Sequence, residues 1–198
     1  MRAALLVVGT LLVTATAARA QTTAAAGVAA DVAAPTASAP PDVGQVAPDF
    51  TLASVDPRTG ASAPFTLSAM RGKVVVLAFY PKDRTGGCTA ELTKFRDEYT
   101  SLFGSRVGKD VVVVPISADG VASHASWSKE SNFPFALVSD TALTAVSAYG
   151  SRMGSMPLSQ RTVFVIGKDG TVKYRDLKFN ALDEGEYAKL KDAVAKAG

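Results

Sequence analysis

The chain holds one cysteine, one histidine and one tryptophan in 198 residues. One cysteine cannot close an internal disulfide, and with one histidine it cannot supply the soft-ligand cluster of a zinc or copper site. No segment after the N-terminal leader is apolar over the roughly 18 to 20 residues that a membrane-spanning helix needs. There is no stripe of lysine and arginine of the kind that tracks nucleic acid, and no internal repeat. Charge is close to balance: the net +3 of the whole chain becomes +1, 19 basic against 18 acidic residues, without Arg2 and Arg19.

Those two arginines flank an apolar run from Ala3 through Val13 that ends in Ala18-Arg19-Ala20. A short apolar run behind a positive charge and before an Ala-x-Ala end reads as a secretory signal peptide over 1–20, cleaved between Ala20 and Gln21. The product is then exported, to the periplasm or, as the other destination, outside the cell. Residues 21–44 contain nine alanines and three prolines in 24 residues, with Asp31 and Asp42 as the only charges. Such composition buries too little apolar surface to offset the entropy of ordering, and is expected to be a flexible spacer. The 154 residues from Gln45 to Gly198 suffice for one globular domain, burying roughly 70% of the surface its unfolded chain exposes. In an exported protein a lone cysteine is either an inert core residue or a free reactive thiol.

The surroundings of Cys88 bear on that choice. Lys73 to Tyr80 reads KVVVLAFY, a buried-strand composition, and Leu92, Phe95, Tyr99 and Leu102 recur at helical spacing behind the cysteine. Cys88 is therefore expected to open a helix over 88–103, where unpaired N–H groups and the positive end of the dipole favour a thiolate. Strands are expected at 47–52, 65–67, 111–117, 134–138, 161–166 and 171–176, the last two joined by an Asp169-Gly170 turn. Ser68 is placed to cap a short helical turn through Met70. Further helices are expected over 121–130, 141–149 and 183–196, the last with Tyr187, Leu190 and Val194 on its apolar face. This order predicts an α/β, thioredoxin-like fold, a mixed sheet with helices on both faces.

The run Pro81-x-x-x-Thr85-x-x-Cys88 resembles the peroxidatic motif of the peroxiredoxins, and its setting is most similar to their bacterioferritin-comigratory, or Q-type, branch. The likeness extends through Ala47-Pro-Asp-Phe50-Thr-Leu52, Ile116-Ser117-Ala118-Asp119, Ser123-His124, Phe133-Pro134-Phe135, Ser139-Asp140, Ala148-Tyr149-Gly150 and Arg161-Thr-Val-Phe. It implies a thiol-dependent peroxidase that needs no cofactor and reduces hydrogen peroxide or organic hydroperoxides through a sulfenic acid on Cys88. Thr85 is then expected to face the sulfur across the turn and bond the incoming peroxide. Pro81, lacking an N–H, ends the strand and screens the sulfur, while backbone N–H groups around Gly87 and Cys88 point at the leaving oxygen. The likeness selects Arg161, rather than Arg84 or Arg152, as the guanidinium beside the sulfur. Glu91, on the same helical face as Cys88, orients it, and Tyr80 lines the entrance. His124 reads as structural or solvated, and Trp127 as packing on the sheet.

Two positions depart from the branch: Gly86 stands where proline is common, and Thr93 where many members carry a second, resolving cysteine. The sulfenic acid must then be resolved by an external thiol, from a thioredoxin-like protein, a glutaredoxin or a small molecule. The chain is expected to be a monomer or homodimer. The competing reading is an exported redox-sensing or thiol-binding module of the same fold, without turnover.

Overall fold

Residues 39–198 are described by a computed structural model. The leader over 1–20 and most of the expected spacer lie outside them. Strands run over Thr51–Val55 (β1), Ser62–Thr66 (β2), Val74–Phe79 (β3), Val111–Ser117 (β4), Leu137–Ser139 (β5), Thr162–Ile166 (β6) and Val172–Asp176 (β7). Helices run over Gly86–Asp97 (α1), Tyr99–Phe103 (α2), Val121–Ser131 (α3), Thr144–Ala148 (α4) and Glu184–Ala197 (α5). The seven strands form one mixed sheet in the order β2-β1-β5-β4-β3-β6-β7. β3 is central, parallel to β4 on one side and antiparallel to β6 on the other.

Every residue of β3 is buried, because helices cover both faces of the sheet. Alternation along the strand divides the core. Val74, Val76, Ala78 and Tyr80 join Cys88, Leu92 and Phe95 of α1, Trp127 of α3, and Tyr187, Leu190 and Val194 of α5. Val75, Leu77 and Phe79 face the opposite way, toward Val146 and Tyr149, Phe164 and Ile166. Fourteen of the chain's fifteen Phe, Tyr and Trp residues are paired ring to ring within one or other of these layers, among them Tyr80 with Trp127 at 5.9 Å and Phe79 with Tyr149 at 5.3 Å.

Several boundaries differ from expectation for local reasons. The first strand begins at Thr51, not Ala47. Upstream of it, Ala47 donates to the Gly170 carbonyl at 3.0 Å, and Asp49 accepts from the Phe50 and Ser68 N–H groups at 2.9 and 2.8 Å, which ties down the loop without a ladder. Ser68 thus opens a single 3₁₀ turn through Met70 without a side-chain cap. The long helix breaks at Glu98 into α1 and α2. The end of the expected spacer is not free: Pro41 is buried, Gly44 donates to the Val172 carbonyl at 2.8 Å, and Arg175 pairs with Asp42 and bonds the Pro40 and Pro41 carbonyls.

Candidate active site

The chain leaves β3 at Phe79, passes through Tyr80 to Thr85, and enters α1 with Cys88 as the third helical residue. Thr85 stands at the N-cap without capping through its side chain. The first main-chain bond there runs from the Thr89 N–H to the Thr85 carbonyl at 2.8 Å. The N–H groups of Gly86, Gly87 and Cys88 are accordingly left without a helical acceptor. Cys88 itself is 1% exposed.

The antiparallel register pairs Phe79 with Thr162, so one step further Arg161 stands beside the point where the chain leaves β3. Its Nη2 lies 3.3 Å from Cys88 Sγ, and Nη1 is bonded to Glu91 Oε2. Gly87 permits this approach, since a β-carbon there would come within 3.1 Å of Arg161 Nη2. Burial pulls against the charge of Arg161, but Glu91 and Cys88 outweigh it and hold the guanidinium above its ordinary pKa. Glu91 is fully buried, and desolvation pushes its carboxyl up to about 7 although Arg161 pulls the other way. Its second oxygen, Oε1, has no partner. Cys88, Gly87, Glu91 and Arg161 therefore form one contact group. Arg84 and Arg152 stand elsewhere, Arg84 paired with Glu130 and Arg152 near the Ser147 hydroxyl.

Pro81 is half-buried just past the strand, where its missing N–H leaves no ladder donor unpaired. Thr85 is exposed, and its hydroxyl donates to the Lys82 carbonyl at 2.9 Å instead of turning to the sulfur. Tyr80 does not line an entrance. It is fully buried, continuing the inward parity of Val74, Val76 and Ala78; its hydroxyl donates to Asp83 at 2.8 Å and its carbonyl accepts from the Ser159 hydroxyl at 2.6 Å. Sequence reasoning missed Asp83, which with His124 forms a buried polar pair beneath the loop, Nδ1 to Oδ2 at 3.0 Å. The available signal was a charged pair, Asp83-Arg84, inside the motif and a Ser123-His124 pair in the following helix.

A family model described as the AhpC/TSA family matches residues 43–175. The chain is 40% identical over 137 residues to a putative peroxiredoxin bcp of Coxiella burnetii, covering 66% of this chain and 85% of that protein. It is 37% identical over 134 residues to the chloroplastic peroxiredoxin Q of Triticum aestivum, covering 66% of this chain and 57% of that one. Among solved structures, the peroxidoxin BcpB from Mycobacterium tuberculosis superposes with a TM-score of 0.65 at 27% identity, over 80% of this chain and 99% of that one.

Proposed function

Because this chain belongs to the AhpC/TSA family, in its bacterioferritin-comigratory and Q-type branch, and is a thiol-dependent peroxidase, we propose that Cys88 is the attacking sulfur and that an external thiol restores it. The observation that carries this reading is Arg161 Nη2 at 3.3 Å from the chain's one sulfhydryl. A guanidinium donor at that distance stabilises negative charge on sulfur.

The Cys88 thiolate attacks the terminal oxygen of the hydroperoxide. An S–O bond forms as the O–O bond breaks, the sulfur is oxidised by two electrons, and the departing alkoxide or hydroxide takes a proton to become alcohol or water. Arg161 and the unpaired N–H groups of Gly87 and Cys88 are the donors that receive the charge on the leaving oxygen, as in an oxyanion hole. The Thr85 proton is committed to the Lys82 carbonyl, so its oxygen serves as an acceptor for the hydroperoxide O–H. Glu91 fixes the plane of the guanidinium, and Pro81 limits water at the sulfur.

The product is a sulfenic acid. With no second cysteine in the chain, one external thiol condenses with it, releasing water and leaving a mixed disulfide. A second external thiol then displaces Cys88 as thiolate. The enzyme is exported on the leader over 1–20 and works in the periplasm, a reading supported by Arg2, the apolar run and the Ala18-Arg19-Ala20 end. Mass determination of the chain from a periplasmic fraction tests it, with an N-terminus at Gln21 as the expected result.

The rate at which hydrogen peroxide oxidises pre-reduced Cys88 at neutral pH, in competition with a heme peroxidase, tests the chemistry. We expect a rate orders of magnitude above that of a free thiol, abolished in Cys88→Ser. A free-thiol rate would remove Cys88 from the role.

A further inference from the structure

Asp83 and Arg84 connect β3 to the helix that carries Cys88, and their side chains grip α3 at separate points. Asp83 is 6% exposed. Its Oδ1 accepts from the Tyr80 hydroxyl at 2.8 Å; its Oδ2 accepts from the Ser123 hydroxyl at 2.7 Å and faces His124 Nδ1 at 3.0 Å. Burial pushes the Asp83 carboxyl up, but the bonds from His124, Ser123 and Tyr80 together hold it below the usual carboxylate range. A carboxylate only accepts, so Nδ1 of His124 carries the proton. The Asp83 N–H donates to Asp119 Oδ2 at 2.9 Å, and that carboxylate is fixed in turn by the Ser117 hydroxyl at 2.8 Å.

Arg84 reaches the exposed part of the same helix. Its guanidinium bonds Glu130 through Nη2 at 2.9 Å and Nε at 3.2 Å, the Ser126 hydroxyl at 2.8 Å, and the Ser123 hydroxyl at 3.3 Å. Ser123 thereby joins the two grips, donating to Asp83 and accepting from Arg84. Between them the backbone of Arg84 sits at φ 60°, a left-handed conformation that a long side chain keeps only where its surroundings over-determine it. Beyond Arg84 the next side-chain bond is internal to the loop, from the Thr85 hydroxyl to the Lys82 carbonyl, and α1 opens with two exposed glycines. His124 is an expensive way to fill a core, because its Nε2 is buried without a partner and an aliphatic side chain would avoid that loss. Its Nδ1 is what the fold uses.

We infer that α3 is a clamp on the peroxidatic loop, with His124 and Arg84 as positioning residues that hold Cys88 against Arg161. Neither touches the sulfur. The effect on peroxide chemistry rests on the reading of Cys88 given above; the effect on access to the sulfur does not.

The test compares the full chain with His124→Leu, Arg84→Ala and His124→Asn in two reactions of reduced Cys88. One is oxidation by hydrogen peroxide, and the other is alkylation by N-ethylmaleimide, a neutral and bulkier electrophile. For the first two variants we expect oxidation to slow by about tenfold, the scale of a small misplacement of a reacting group, while alkylation quickens because the loop no longer covers the sulfur. His124→Asn, whose amide can donate where Nδ1 does, should restore both rates. Loss of general stability would move the melting temperature but not the two rates in opposite directions. Folded variants with both rates unchanged, or both reduced, would overturn the clamp. If His124→Leu fails to fold, Arg84→Ala decides, since Arg84 lies at the surface. Should the unchanged protein meet peroxide no faster than a free thiol does, the nucleophile is misassigned, and the alkylation rates still judge the clamp.

Discussion

A β-carbon on Gly87 would stand 3.1 Å from Arg161 Nη2, the same nitrogen that lies 3.3 Å from Cys88 Sγ. The absence of a side chain at Gly87 is therefore part of how the guanidinium reaches the sulfur. Gly87→Ala should push Arg161 outward by a few tenths of an ångström without moving Cys88. Peroxide oxidation should fall roughly tenfold, less than the 10²- to 10³-fold cost of deleting such a donor outright. Gly86→Ala is the control, because its β-carbon meets nothing within 4 Å. Stopped-flow oxidation of the two alanine variants separates these outcomes; equal rates would show that Arg161 has room to spare.

Glu91 carries a pH signature. Its carboxyl, ordinarily at 4.5, is pushed up to about 7 by complete burial. The folded protein therefore holds this proton more tightly than the unfolded chain does, so ionisation costs stability as pH rises from about 4.5 to 7. Below 4.5 the penalty is absent, and above 7 it is complete. Glu91→Gln removes the titration. Whatever its fixed offset from losing the ion pair with Arg161, the variant should gain stability relative to the unchanged protein by on the order of 3 kcal/mol between pH 4.5 and pH 8. Denaturant unfolding at several pH values measures it, and parallel curves would sink the assignment.

The anchored end of the expected spacer makes a stability prediction. A chain beginning at Ala39 keeps Pro40 against Gly150, Arg175 on Asp42 and the Pro40 and Pro41 carbonyls, and the Gly44 to Val172 bond. One beginning at Gln45 loses them all. The ion pair is partly exposed and adds little. The main-chain bonds and the burial of Pro41 together should be worth about 1 to 2 kcal/mol, or roughly 2 to 8 °C in melting temperature for a domain of this size. Identical melting curves would show that these residues rest on the domain without supporting it.

The region around Cys88 was legible because its signals are local. Val74 to Tyr80 is a continuous apolar run, the glycines follow, and helical spacing resumes at Leu92. The turn at Asp169-Gly170 was equally plain, with Gly170 at φ 74°. Tyr80 was misplaced because composition puts an aromatic beside a motif but does not say on which side of it; the strand's own alternation buries it. Asp83 and His124 were harder, since 41 residues separate them and their pairing depends on how β3, β4 and α3 are stacked. A charged side chain in a loop ordinarily belongs to solvent. Only the packed sheet shows that Asp83 points inward.

The same local anatomy makes Gly86 replaceable. It is the first residue of α1, so its N–H has no intrahelical acceptor and is not missed. Thr85 before it is at φ −78° and ψ 151°, inside the extended region that a following proline imposes. No neighbour lies within 4 Å of a β-carbon at position 86. Gly86→Pro should therefore raise stability by about 0.4 to 1 kcal/mol through the entropy of the unfolded chain. The sulfur, held from behind by Asp83 and Arg84, should keep its peroxide rate. Thermal unfolding and the oxidation rate of the variant test the two halves together. A more stable protein that reacts slowly would mean that one of the N–H groups at the start of α1, the one proline removes, belongs to the donors for the leaving oxygen.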